Sequence, residues 1–205
     1  MRRASVALCA AAALGAGWVG TAHAFPVQLP RPGQIGIAAQ GGYGGFLPHG
    51  HYGDAFGSGG SYAFRLLFRM RDARALGISF EQQNFEAVQD TFEYNTNVEF
   101  SASKKLKMIT TGADFYQFSD PTERTQRYIG AGLGIYQSTV KLADGETYIP
   151  LDPSGFYANL TAGLEHFVWN TWGLELSVRY LAVFAQGGVN SDLQASAGVV
   201  FYAGY

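Results

Sequence analysis

The chain has 205 residues, a formal net charge of −2 at pH 7 and only 15% charged residues, against about 25% in typical soluble domains. Removing Arg2 and Arg3 with the N-terminal segment described next leaves 12 basic against 16 acidic residues and no basic stripe, so nucleic acid is not an expected partner. The low charge, with 27 Gly, 12 Tyr and 15 Phe, favours a surface that faces an apolar medium, although a secreted β-sandwich can share this composition.

Residues 1–24 predict a secretory signal peptide that is cleaved after Ala24. A basic start precedes the small, apolar residues 6–20, and Ala-His-Ala supplies the cleavage site. The only cysteine, Cys9, lies inside this segment after Leu8, which predicts a mature chain with neither a disulfide nor a lipid anchor. No later segment offers 18 uncharged apolar residues, so a membrane crossing would have to use strands.

Residues 25–33 contain three prolines and predict an extended lead that cannot join a central strand. Eight segments then alternate between apolar and polar or small residues, as amphipathic strands do. They are about ten residues long, the length that a tilted transmembrane strand needs, and no helical pattern or long repeat competes with them. The predicted strands cover residues 34–43, 61–70, 76–83, 105–118, 126–139, 156–167, 174–184 and 193–205.

The predicted connections alternate between long and short. The long ones are loops over 47–60, 86–103, 141–155 and 185–192, and within the second of these residues 97–101 alternate well enough to continue a hairpin beyond the main sheet. The short turns lie at 71–74, 120–123 and 168–173. Outer-membrane barrels show this asymmetry, with short periplasmic turns and long outer loops.

The strand count, the loop asymmetry and the apolar face of the last strand resemble the small eight-stranded outer-membrane barrels that include the OmpA transmembrane domain, OmpX and OmpW. The resemblance covers residues 34–205 and implies an all-β, eight-stranded antiparallel up-and-down transmembrane β-barrel in a Gram-negative outer membrane. It also implies outer-membrane lipid and the barrel insertion machinery as partners. The insertion signal would be Val199, Phe201 and Tyr205, although the usual terminal residue in that family is Phe. A soluble sandwich is the alternative that the last strand alone leaves open.

Alternation alone does not tell a transmembrane barrel from a lipocalin, whose apolar face is inside. The second face decides, because it mixes glycine and serine with opposite charges, which suits the cramped polar interior of a small barrel. We expect the charges to form an ion-pair network that plugs the lumen, with Arg65 opposite Glu81, and with Glu175 facing Glu165. The predicted network comprises Arg65, Arg69, Glu81, Asp114, Glu165, Glu175 and Arg179.

Aromatic residues at the strand ends predict the girdles that flank a membrane. Tyr43, Phe46 and Phe156 are expected near the outer rim, and Trp169 and Trp172, with the C-terminal tyrosine, near the periplasmic rim.

Other candidate sites are weak. His49, His51 and Asp54 lie in the first loop, but two imidazoles without a third strong ligand do not predict a metal centre. The lipid A deacylase barrels have a His-x-Ser arrangement, whereas His166 is followed by Phe and Val, so no catalytic residue and no cofactor are predicted.

We therefore expect a non-enzymatic outer-membrane barrel that scaffolds the membrane or presents its loops to an extracellular partner. The alternatives are a narrow pore or conduit for small or hydrophobic molecules, as a resemblance to OmpW implies, and a lipid-modifying enzyme.

Overall fold

A computed structural model describes residues 27–48, 50–71, 73–87, 91–94, 98–101, 105–141, 147–148, 153–185 and 188–203. Among them are eleven strands and one short helix. The strands are β1 (Ile35–Phe46), β2 (Phe56–Arg69), β3 (Arg74–Ala87), β4 (Thr91–Tyr94), β5 (Val98–Ser101), β6 (Lys105–Ser119), β7 (Thr125–Lys141), β8 (Thr147–Tyr148), β9 (Ser154–Trp169), β10 (Trp172–Ala185) and β11 (Gly188–Ala203), and the helix is α1 (Gly50–Ala55).

Eight of the strands form a closed antiparallel barrel, as predicted. Each long strand pairs with the next long strand along the chain, β6 pairs with β7, and β1 closes the cylinder by pairing with β11. Short β8 adds to the edge of β7, while β4 and β5 form a separate hairpin within the predicted 86–103 loop. The described residues contain no helix that is long and apolar enough to cross a membrane.

Alternation along these strands sends large apolar side chains outward and polar side chains inward, the reverse of a soluble barrel. Leu133 and Phe156 are 69% and 71% exposed, whereas Glu165 and Glu175 are each 1% exposed. Since period-two alternation leaves each strand with one apolar face, the sequence pattern predicts the central part of each strand and the direction of its side chains.

We call the end of the barrel near Ile35 and Ala203 the terminal end, and the opposite end the loop end. Tight turns connect strands at the terminal end, where Ala73, Asp120 and Asn170 have positive φ values of 56°, 56° and 48°. These three turns agree with the predicted short connections.

The extended lead lies across the terminal end. Val27 forms an isolated parallel bridge with Asn170, and the Gln28 amide donates a hydrogen bond to the Asn170 carbonyl at 3.1 Å. Val27 and Leu29 pack against apolar side chains inside that end of the barrel. The lead therefore partly covers this opening without entering the sheet.

Two of the predicted loops are shorter than expected. In the first, residues 50–55 form α1 and β2 begins at Phe56. Gly59 is a strand residue, and β3 passes so close to it that an added Cβ would lie 1.7 Å from the Asn84 carbonyl oxygen. In the last, β11 begins at Gly188, which pairs with Ala185, so the predicted 185–192 loop is wrong. Its polar residues Asn190 and Asp192 are strand residues that face the polar interior.

Candidate functional site

The seven charged residues predicted for the lumen all lie inside the barrel, and six of them form three ion pairs. The pairs are Arg65 with Glu175, Arg69 with Glu165, and Arg179 with Glu81. Each pair joins strands that are not neighbours in the sheet, so the side chains cross the interior. The three pairs thus tie opposite walls together.

The predicted wall-to-wall arrangement was partly wrong. Glu175 does face Glu165 in the β9–β10 register. Arg65, however, lies opposite Ser79, and its ion-pair partner is Glu175 on the far wall. Strand parity fixes which residues point inward, but a contact across the lumen depends on how the sheet closes, which local pattern does not report.

Tyrosine hydroxyls complete the two ion pairs nearest the terminal end. Arg69 donates to Glu165 at 2.6 Å and to the Tyr202 hydroxyl at 3.1 Å, and that hydroxyl donates to Glu165 at 3.0 Å. In the neighbouring pair, Tyr128 donates to Glu175, while Arg65 donates to Tyr116 at 3.2 Å.

Aromatic faces also support these two arginines. The Arg69 guanidinium carbon lies 3.4 Å from the Phe118 ring centroid, and the Arg65 guanidinium carbon lies 5.5 Å from the Tyr116 centroid. Cation–π attraction strengthens when the cation is removed from water, as it is here. Each of these cations is therefore held by a carboxylate and by at least one ring.

The third pair belongs to a polar layer nearer the loop end. Glu81 accepts from Arg179 and, at 2.5 Å, from the Gln194 amide nitrogen. Close to it, Gln83 donates to Asp192 at 2.9 Å. Buried carboxylates in this layer are thus held by amides as well as by a cation.

Asp114 differs from the glutamates because it has no arginine partner among the described residues. Its Oδ1 accepts a hydrogen bond from Asn159 Nδ2 at 2.8 Å, and its Oδ2 has no hydrogen-bond partner there. The side chain lies over Gly132, where an added Cβ would be 2.0 Å from Oδ1. Asp114 therefore belongs to the polar filling but not to the ion pairs.

Tyrosine rings lying over glycines of adjacent strands fill much of the remaining interior. A Cβ added at Gly130 would lie 2.6 Å from the Tyr116 ring, and a Cβ added at Gly163 would lie 2.6 Å from the Tyr128 ring. The inward glycines thus leave room for tyrosine rings, whereas the sequence pattern predicted only that small residues help to fill a narrow interior. The available signal was that inward tyrosines and inward glycines occupy neighbouring strands.

A second, apolar layer fills the loop end and includes a residue whose predicted position is wrong. Phe46 was expected on the outer surface, but it is 8% exposed and its ring centroid lies 4.5 Å from that of Phe85 inside the barrel. The predicted first strand ended at residue 43, but β1 continues to Phe46, and strict alternation from the outward-facing Tyr43 turns Phe46 inward.

Helix α1 contributes Tyr52 to the same layer. The Tyr52 amide donates to the Asn190 side-chain oxygen at 2.9 Å, and its hydroxyl lies 3.2 Å from the Ser138 hydroxyl. Together with buried side chains of several strands, this connection covers the loop end of the lumen. The layer contains Phe46, Tyr52, Ala55, Phe56, Phe85, Leu106, Met108, Tyr136, Val140, Tyr157, Leu181 and Val183.

The other predicted rim aromatics point outward. Tyr43 and Phe156 are exposed near the loop end, and Trp169 and Trp172, which pair in the β9–β10 register, are exposed at the terminal end. Val199 is exposed and Phe201 is half-buried with its ring 4.8 Å from Trp172. Tyr205 lies outside the described residues, and the insertion signal stays a prediction.

The weak metal and catalytic candidates gain no support from the described residues. His49 lies outside them, as do the side chains of His51 and Asp54, and no group of three metal-binding side chains occurs in the described part. His166 faces outward, and its Nδ1 lies 2.8 Å from the Thr125 hydroxyl. The position two residues after His166, where a His-x-Ser arrangement has its serine, is Val168.

No protein-family model matches the sequence, and no curated protein matches it either. Solved structures do match. Neisserial surface protein A is 18% identical with a TM-score of 0.61, covering 82% of this chain and 96% of its own.

Two structures from Pseudomonas aeruginosa are also similar. The N-terminal β-barrel domain of OprF is 16% identical with a TM-score of 0.51, covering 84% of this chain and 98% of its own. The outer membrane protein OprG is 10% identical with a TM-score of 0.52, covering 88% and 100%. The chain therefore has the fold of the small eight-stranded barrels found in outer-membrane proteins.

Proposed function

We propose that this protein is an integral outer-membrane barrel whose lumen is closed and which acts without enzymatic chemistry, as a membrane scaffold or by presenting its loops. The observation that carries the proposal is the inverted distribution of side chains. Large apolar residues cover the outside, while the ion pairs of Arg65, Arg69 and Arg179 lie inside. Such a surface is stable in lipid, where the closed sheet also satisfies every ladder hydrogen bond.

The terminal end would face the periplasm. The tight turns and the Trp169–Trp172 pair lie there, whereas the longer connections and the β4–β5 hairpin lie at the loop end, which would face outward. This orientation leaves the loop end as the surface available to an extracellular partner.

Two layers of side chains at different heights along the barrel axis support a closed lumen. The Arg65 and Arg69 pairs with their tyrosines support closure toward the terminal end, and the apolar layer around Phe46 and Phe85 supports it at the loop end. The interior of an eight-stranded barrel is just wide enough for side chains to fill, so this strand number does not imply an open channel.

The test is the conductance of the refolded chain from residue 25 onward in a planar bilayer, after a heat-dependent mobility shift on a gel has shown that the barrel is formed. We expect a folded barrel that gives no discrete channel openings. Steady openings would overturn the closed lumen and favour the alternative of a narrow pore.

A further inference from the structure

Two lysines lie on the outward face of β6 at the loop end. Lys105 is exposed and Lys107 half-buried, at alternate positions of β6 that both face away from the lumen. Neither ammonium has a hydrogen-bond or ion-pair partner within the described part of the chain. Lys141 pairs in register with Lys105, which places a third lysine at this corner of the barrel.

One acidic residue is a register partner of these two β6 lysines in the described part of the chain. Glu86 on β3 lies opposite Lys105, whereas the register partners of Lys107 are the uncharged Asn84 and Thr139. The outward positions at the loop end of β9–β11 include the exposed apolar residues Phe156, Phe184 and Val189. The cations thus mark one side of the barrel at this end.

The same wall has a depression nearer the middle of the barrel. Ala113, Ala131, Ala158 and Ala182 leave a hollow of about 690 Å³ between larger side chains such as Leu133 and Leu160. Its outward alanines lie on β6, β7, β9 and β10.

The lysines and the depression are separated by about the length of a lipid chain. Ala113 lies six residues from Lys107 along β6, or about 20 Å at ~3.3 Å per residue. A strand tilt of about 40° reduces this separation to about 15 Å along the membrane normal, which is half of the ~30 Å hydrocarbon core.

We propose that this wall binds a phosphorylated membrane lipid, with its phosphate at Lys105 and Lys107 and one hydrocarbon chain in the alanine-lined depression. Two ammonium groups that have no partner among the described residues complement a phosphate, and cations near a membrane surface attract anionic lipids. The position on the outward wall favours a lipid over a soluble polyanion, because Ile109 and Ala113 continue the same face into the apolar belt.

The headgroup is tested by native mass spectrometry of the refolded protein in detergent, with bisphosphorylated lipid A and the same lipid after removal of its phosphates as probes. We expect wild type to retain the phosphorylated lipid and Lys105→Gln/Lys107→Gln to bind it roughly thirtyfold more weakly, from about five- to sixfold per cation. Lys105→Arg/Lys107→Arg is the matched control and should retain binding.

The proposal is overturned if wild type binds both lipid forms equally, or if the glutamine variant binds the phosphorylated form as wild type does. Binding of a heparin oligosaccharide without retention of lipid A would also overturn it, in favour of a soluble polyanion. The heat-dependent gel shift verifies folding of each variant, and conductance is measured separately, so the lipid site and the closed lumen can fail independently.

The chain position is tested by filling the depression. Ala113→Leu/Ala158→Leu should release the phosphorylated lipid severalfold faster than wild type, while both lysines remain. Ala195→Leu, at an exposed alanine on β11, adds the same side chain elsewhere on the outward surface and should leave release unchanged. Equal release from Ala113→Leu/Ala158→Leu and wild type would contradict a chain in the depression.

Discussion

At the scale of single residues, Glu175 illustrates how the interior depends on charge pairing. Its Oε1 accepts from both Arg65 and Tyr128, and the side chain is fully buried. Removing one partner of a buried pair leaves the other charge without compensation, which costs more than the pair itself contributes.

We therefore expect Glu175→Gln to lower the free energy of unfolding by about 3–5 kcal/mol, because Arg65 would remain charged and buried. Tryptophan fluorescence during urea unfolding in lipid vesicles measures the change. Replacing both partners, as Arg65→Met/Glu175→Leu, should recover much of the loss. Glu123→Gln, at an exposed turn, is the control and should change little; an equal loss in both glutamine variants would contradict the charge argument.

Sequence parity predicted the inward direction of these charges because strands alternate strictly. It did not predict that Arg65 pairs with Glu175, since residues 110 apart meet only after closure of the barrel sets their relative heights. Phe46 was assigned to the wrong face for a different reason. The predicted first strand ended at residue 43, whereas β1 continues to Phe46, whose parity is opposite to that of the outward-facing Tyr43.

At the scale of the strands, tyrosine rings inside the barrel pack over glycines of the neighbouring strands. Tyr116 lies over Gly130 and also within 2.9 Å of a Cβ added at Gly77, so one ring covers glycines on both neighbouring strands. Overpacking a filled interior forces side chains or backbone to move.

Gly130→Ala should therefore destabilise the barrel by about 1–3 kcal/mol, because its Cβ would contact the Tyr116 ring. The matched control is Gly41→Ala, a strand glycine where an added Cβ meets nothing within 4 Å. Urea midpoints of the two variants are compared with wild type. If Gly41→Ala lost as much stability as Gly130→Ala, backbone effects rather than ring contact would be responsible.

The strand bounds were predicted well where side chains are large and poorly where they are small or polar. Residues 57–60 looked like a loop because glycine favours turns, yet Gly59 is required by close approach of β3. Asn190 and Asp192 looked like a loop because they are polar, although polarity is what an inward position of this barrel favours. Local composition alone does not distinguish the glycine and polar residues of a loop from those at inward positions of a strand.

At the scale of the whole molecule, the apolar layer and the charged layers close the lumen in series. The rings of Phe46 and Phe85 lie at the loop end, and the pairs of Arg65 and Arg69 lie toward the terminal end. Removing only one layer leaves the others in place.

Phe46→Ala/Phe85→Ala should therefore remain silent in single-channel recordings while losing thermal stability through the cavity it creates. Phe156→Ala/Phe184→Ala, an outward pair of the same chemistry, is the control and should also be silent, with a smaller loss. Steady openings in the Phe46/Phe85 variant would show that the charged layers do not block ions.

The pairing of β1 with β11 has a consequence for the order of folding. Ile35 lies beside Ala203, so the contact that removes the last free sheet edges joins the two ends of the barrel sequence. Contacts this far apart slow folding, since the intervening chain must be ordered before they form. Until then both outer strands carry unpaired backbone groups that can pair with another chain. The barrel therefore keeps an exposed sheet edge until β11 is present to pair with β1.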